Sequence, residues 1–209
     1  MSVKQIESLL EQNNDFRISQ TFRHPFVDFK ISHVGETFEK LINSEPFIPS
    51  LKTLFYKFME NHSYQFQSQN VNEAAIYGRV ARMWASLIRE WHAYYLLLDI
   101  GRKYDLDETV IIRNDELDTK KGIDIYLFNE RNTSESIKLD ILQSTKRASY
   151  FRNKKDVLRV KDKEIPGKKY RILLGDSEPE TTKVINNWFL LNNNYGDKVI
   201  KDFIQVLEQ

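Results

Sequence analysis

Two runs of alternating apolar residues, Ile123–Phe128 and Ile137–Leu142, each carry one aspartate among branched and aromatic neighbours. Alternation of this kind marks a strand with one buried face. A carboxylate is poorly suited to such a place, because withdrawing its charge from water without a partner is costly. The two runs therefore read as neighbouring strands whose Asp124 and Asp140 need a counter-ion. Side chains two apart share a face of a strand. Asp124, Tyr126 and Phe128 fall on one side and Ile123, Ile125 and Leu127 on the other; Lys138, Asp140 and Leu142 share a face opposite Ile137, Leu139 and Ile141. The polar stretch 129–136 is long enough for a hairpin connection that sets the two acids near each other. Close carboxylates repel, and the repulsion is relieved by a shared proton or a hard divalent cation, of which Mg²⁺ suits oxygen ligands beside a phosphate.

The rest of the chain frames this pair. Before about residue 104 the apolar period is helical. A short helix is expected over residues 3–12, with Ile6, Leu9 and Leu10 on one face, and another near 35–43 that stops at Ser44-Glu45-Pro46. Ser50 is a good N-cap for a third helix carrying Leu51, Leu54, Phe55, Phe58 and Met59. A long helix follows over roughly 71–103, with Ala75, Val80, Trp84, Leu87, Ile88, Trp91, Tyr95 and Leu98 as a wide apolar stripe. The period then changes. Strands are expected at Thr109–Ile112, Ile123–Phe128, Ile137–Leu142, Val157–Val160 and Tyr170–Leu174, with a helix over 144–153. The end reads as helical over roughly 181–191 and again over 197–208, with an Asn-rich break around Gly196. The fold class is α+β (or α/β): a mixed sheet of about five strands flanked by helices, with a helical N-terminal region. Residues 1–70 form that region, packed on the core; 71–209 form the core and its C-terminal helices, and no linker or repeat divides them.

Composition narrows the chemistry. Cysteine is absent, which removes disulfides, thiolate metal sites and a cysteine nucleophile. No apolar run approaches the roughly 18 residues that span a bilayer, and the N-terminus does not read as a signal peptide, so a cytoplasmic protein is expected. The net charge is only +1, but its distribution is uneven: residues 138–171 hold twelve Lys or Arg against four Asp or Glu, a local +8 that leaves −7 elsewhere. Lys146, Arg147, Arg152, Lys154 and Lys155 lie in or just after the expected helix, interleaved with Tyr150 and Phe151. Such a segment beside acidic residues suits contact with a phosphate backbone, although a solvated surface would look the same from charge alone. Phosphate-binding glycine loops, the dinucleotide fingerprint, the zincin helix motif and the nucleophile elbow are all missing, which argues against nucleotide triphosphatases, dehydrogenases, zincin proteases and serine hydrolases.

The order of a helix, three strands, a helix and a further strand over about residues 80–175 resembles the core of the PD-(D/E)XK nuclease superfamily, which includes many restriction and repair endonucleases. That superfamily places an aspartate on its second core strand and Asp/Glu-x-Lys on its third, often with a glutamate on the first helix. Gly122-Ile123-Asp124 is similar to the first element, Asp140 to the second acid, and Glu90 to the helical glutamate. The motif lysine falls at Leu142, a departure. Lys146, at the start of the next helix, is the favoured substitute, followed by Gln143; Lys138 shares the face of Asp140. The resemblance implies a restriction-endonuclease-like core and a Mg²⁺-dependent endonuclease acting on DNA, in its narrowest form a type II restriction endonuclease. It implies a metal held by Asp124 and Asp140, Glu90 assisting, Lys146 or Gln143 positioning water, and Arg147, Arg152, Lys154 and Lys155 on the phosphates. Duplex cleavage would favour a homodimer, and neither an organic cofactor nor a membrane is implied.

Simpler readings of the same residues exist. Asp124 can serve a structural ion pair with Lys120 or Lys121, Asp140 one with Lys138 or Arg147, and Glu90 can be an exposed helix acid. Trp84 and Trp91 are expected in the core, and His24, His33, His62 and His92 lack the spacing of metal ligands. On this view the chain is a catalytically inactive nuclease-like domain that binds nucleic acid or a protein partner, or a helical interaction protein that uses its sheet as a scaffold.

Overall fold

A computed structural model describes residues 2–12, 33–45, 47–67, 70–113, 117, 123–144 and 165–208. It is a mixed α+β structure: a four-stranded sheet, a separate two-stranded sheet and five α-helices among the described residues. The chain divides into two compact units, one holding residues 13–88 with Met1, the other residues 2–12 and 89–209.

The first unit is helical. α1 (Val3–Gln12) belongs to the second unit; the first holds α2 (Val34–Ser44), α3 (Leu51–His62) and the opening part of α4 (Glu73–Lys103). Ser50 caps α3 as expected, its hydroxyl accepting the Thr53 N–H at 3.0 Å. Leu54, Phe55 and Phe58 are its buried positions. Trp84 is buried, and its indole N–H donates to the Pro49 carbonyl at 2.8 Å, which satisfies the one polar atom of the ring.

In the second unit the sheet order is β1 (Ile111–Ile112), β2 (Ile125–Leu127), β3 (Ile137–Gln143) and β4 (Lys168–Leu174). β1–β2 and β2–β3 are antiparallel, while β3 and β4 run parallel over seven paired residues. Parallel neighbours need a crossover of a dozen or more residues, and the chain has residues 144–167 for it. The helix expected over 144–153 and the strand at Val157–Val160 fall within 145–164, outside the described residues, apart from Ser144. Among the described residues the sheet has four strands where about five were expected, and the expected strand Val157–Val160 is not among those residues. The first strand is shorter than expected because Thr109 and Val110 sit in a 3-10 turn, where Asp107 accepts the Thr109 N–H at 2.8 Å.

One face of the sheet is apolar. Ile125, Leu127, Ile137, Leu139, Ile141, Ile172 and Leu174 join Leu96, Leu97 and Ile100 of α4 and Ile200 and Phe203 of the C-terminal helix in a single core. Trp91 of α4 is buried, as expected. The turn before β4 requires Gly167: its φ is 118°, and a Cβ there would meet the Ser136 carbonyl oxygen at 2.5 Å.

The C-terminal reading is corrected in two places. The expected helix over 181–191 is a hairpin, β5 (Thr182–Ile185) and β6 (Trp188–Leu191). Val184, Ile185, Trp188 and Leu191 suit either period, but Asn186 and Asn187 decide it. Both hold positive φ, 44° and 66°, as a two-residue hairpin turn of the inverted type demands and a helix forbids. The last helix, α5 (Asn193–Leu207), starts before Gly196 rather than after it. Asn192 caps it, accepting the Asn194 N–H at 2.8 Å. Gly196 serves close packing rather than a break, since a Cβ there would lie 3.0 Å from Ile100 Cδ1. No helix among the described residues is long and apolar enough to cross a membrane.

Candidate functional site on the polar face of the sheet

The face opposite the core carries the charges. Regular pairing of β3 with β4 sets Lys138 beside Lys169, Asp140 beside Arg171 and Leu142 beside Leu173. Alternation puts all six on the side away from Leu139 and Ile141. Tyr126, paired with Lys138 across β2–β3, shares that side. The chain leading into β4 is tied down over this face. The Tyr126 hydroxyl donates to the Pro166 carbonyl at 3.0 Å, and Lys138 Nζ donates to the Ile165 carbonyl at 2.9 Å.

Asp124 and Asp140 are both buried, at 2% and 1% exposure. Continued by one step, the β2–β3 register would put Asp124 across from Asp140, but the ladder changes there. Asp124 lies at a bend just before β2, and its N–H donates to Leu139 O at 3.0 Å. Its carboxylate Oδ2 accepts the Ile141 N–H at 2.6 Å, the role a main-chain carbonyl plays further along the ladder. Two covalent bonds separate that nitrogen from the Asp140 Cα, so Asp124 Oδ2 lies within about 5.5 Å of it. The Asp124 carboxylate is thus anchored to the peptide that follows Asp140.

Asp140 meets two cations from β4, while Lys138, one partner of its simpler reading, donates to the Ile165 carbonyl and Arg147, the other, lies outside the described residues. Arg171 Nε stands 3.5 Å and Lys169 Nζ 3.9 Å from Asp140 Oδ2. Both separations exceed the roughly 2.7–2.9 Å of a direct charge-assisted bond. The cationic side chains are 40% and 39% exposed, so they bridge a buried anion and solvent.

The other expected site residues are placed as follows. Glu90 is buried on α4, and Arg113 Nη2 lies 3.4 Å from its Oε2. The Arg113 guanidinium covers the Trp91 ring, 4.4 Å from its centre. Gln143 ends β3 paired with Leu174, and alternation puts it on the face of Ile141, away from Asp140. Lys146, Arg147, Arg152, Lys154 and Lys155 lie outside the described residues. Among the described residues, no three His, Cys, Asp or Glu side chains gather as one metal-binding group. Two carboxylates with water and substrate oxygens are nonetheless a donor set that Mg²⁺ accepts, and Asp124 and Asp140 fit it in chemistry.

Two features escaped the sequence reading. Lys169 falls one residue before the strand expected at Tyr170, so its place on the acidic face was not drawn; the Lys-x-Arg alternation was the available signal. The second is an ion cluster on the other sheet. Glu7 Oε1 receives Lys183 Nζ at 2.8 Å and His92 Nε2 at 3.1 Å. The His92 hydrogen bond, aided by Lys183 and opposed by burial, holds the pKa of the Glu7 carboxyl at about 2. Nearby, burial lowers the pKa of the Arg89 guanidinium to about 10 where it lies over the Trp188 ring, 5.4 Å from its centre. These partners come from distant parts of the chain, and nothing in their spacing announces them. Comparison of the chain with protein-family models, curated proteins and solved structures found no match.

Proposed function

We propose that the protein is a metal-dependent phosphodiesterase acting on DNA, an endonuclease with a restriction-endonuclease-like core. The observation that carries the reading is the bond from the Ile141 N–H to Asp124 Oδ2, which holds a second buried acid close to Asp140. The element order adds support, because a long helix, three strands and a further strand follow one another as in the order on which the resemblance rests.

Asp124 and Asp140 would hold Mg²⁺, which when bound supplies charge neutralisation at the scissile phosphate and a more acidic water. The chain's own work is positional. The Ile141 peptide fixes the orientation of the Asp124 carboxylate through one of its two oxygens. Lys169 and Arg171 offset the charge of Asp140 before any substrate arrives. The basic segment with Lys146, Arg147, Arg152, Lys154 and Lys155 would follow the phosphate backbone, and Lys146 would stand near the attacking water. Glu90 would act at one remove, through Arg113. On duplex DNA the active species would be a homodimer, which matches the twofold symmetry of its target.

The test is cleavage of a supercoiled plasmid in Mg²⁺ and in EDTA by the full chain and by Asp124→Asn and Asp140→Asn. Both variants keep the shape of the side chain, and the amide oxygen introduced at position 124 could still accept the Ile141 N–H. Nicking or linearisation that needs Mg²⁺ and disappears in both variants supports the reading; cleavage that survives both substitutions ends it. A second reading is favoured by one specific observation, the contact of two cations with Asp140 together with Leu142 at the motif lysine position. It is a non-catalytic DNA-binding domain, and it predicts salt-sensitive binding with no turnover in any metal.

A further inference from the structure

We propose that β4, not β3, supplies the cationic group of this site, with Lys169 facing the scissile phosphate and Arg171 holding Asp140 in position. The inference rests on the phosphodiesterase reading. Position 142 shares the face of Asp140 and is a leucine, so that position of β3 carries no charge. Phosphodiester hydrolysis builds negative charge on the phosphoryl oxygens and on the leaving oxygen, and fixed donors aimed there lower the barrier. On the described part of this face the candidates are Lys138, Lys169 and Arg171. Lys138 is directed to the Ile165 carbonyl.

The remaining two differ in chemistry and register. Arg171 is the direct cross-strand partner of Asp140, and its planar, always-charged guanidinium suits holding a carboxylate at a set orientation. Lys169 sits two residues earlier on the same face, farther from the carboxylate at 3.9 Å and 39% exposed. A compact ammonium on a flexible stem can turn from Asp140 toward a phosphate oxygen over a short distance. In the reaction a water oxygen bonds to phosphorus as the P–O bond to the leaving sugar breaks. That water releases one proton to solvent, and the leaving oxygen takes one up. Lys169 keeps its proton throughout and neutralises the charge that develops, so no co-reactant is consumed.

The experiment uses the full chain with Lys169→Met, Arg171→Lys, Leu142→Lys and the double variant Lys169→Met/Leu142→Lys. Two readouts are taken: plasmid cleavage in Mg²⁺, and binding of a fluorescein-labelled DNA duplex in EDTA across a salt series. We expect Lys169→Met to lower kcat by roughly 10- to 100-fold with KM changed by less than about threefold. The salt slope of log binding should fall by about 1, the mark of one lost phosphate contact. Moving the lysine onto β3 in the double variant should restore at least about tenfold of the lost rate, because position 142 lies on the same face. Wild-type rate together with an unchanged salt slope in Lys169→Met would overturn the proposal. Wild-type protein that binds duplex without cutting it would remove the phosphodiesterase reading alone. The salt slope of Lys169→Met would then decide whether Lys169 meets phosphate.

Discussion

Glu7 and Asp140 are both carboxylates inside the second unit, and each meets two cationic or imidazole partners, yet the two clusters are built differently. Around Glu7 the contacts are short, 2.8 Å to Lys183 and 3.1 Å to His92, and His92 is fully buried. The other ring nitrogen of His92, Nδ1, is buried with no hydrogen-bond partner among the described residues, which suits a proton carried on Nε2. Around Asp140 the contacts are long, 3.5 and 3.9 Å, and the cations reach solvent. The first arrangement joins α1, α4 and the β5–β6 hairpin at direct hydrogen-bonding distances, although its Lys183 is as exposed as Lys169, at 39%. The second sets two half-exposed cations at longer range around a buried anion. The two clusters thus differ in contact length and in the buried His92, not in the exposure of their lysines, and the proposed function takes the longer contacts as room for a further anion.

That contrast can be broken in several ways. The largest effect is expected on catalysis. Asp140→Asn should reduce Mg²⁺-dependent cleavage by roughly 10³-fold, about 4 kcal/mol of transition-state stabilisation, as measured by plasmid nicking. Its thermal midpoint should move by only a few degrees, because the cations left behind can hydrate. Glu7→Ala should do the reverse. It leaves a buried imidazole without its partner and should cost about 2 kcal/mol in urea unfolding, with cleavage unchanged.

A third effect is in pH. The folded-state pKa of Glu7 lies below its ordinary 4.5, so its contribution to stability is complete above that value and is lost as pH falls toward about 2. Wild-type unfolding free energy should decline across this window, and Glu7→Gln should flatten part of the decline. The smallest effect is the stability change in Lys169→Met. If the ammonium is there for substrate, urea unfolding should shift by no more than about 0.5 kcal/mol. A loss as large as that of Glu7→Ala would erase the distinction between the two clusters.

Elements of both units were legible in advance. Ile137–Leu142 alternates so strictly that its strand and both of its faces follow from the residue order alone. The long apolar stripe that contains Trp84 and Trp91 likewise reads as one helix. Ser50 announced its cap because a side-chain oxygen at that point satisfies a first-turn amide locally. The β5–β6 hairpin was misread because apolar residues three and four apart satisfy two periods in so short a segment. Its Asn-Asn turn held the deciding information.

The sequence alone determined which strand faces carry acids and which are apolar, because side-chain direction in a strand is a local consequence of backbone geometry. It also determined that position 142 carries no charge. Only the tertiary structure decided that Arg171 and Lys169 meet Asp140, since parallel pairing across a long crossover sets which residues oppose each other. The union of Glu7, His92 and Lys183 arises in the same way. Contacts between segments 85 and 176 positions apart depend on how whole elements pack, and no local pattern encodes that.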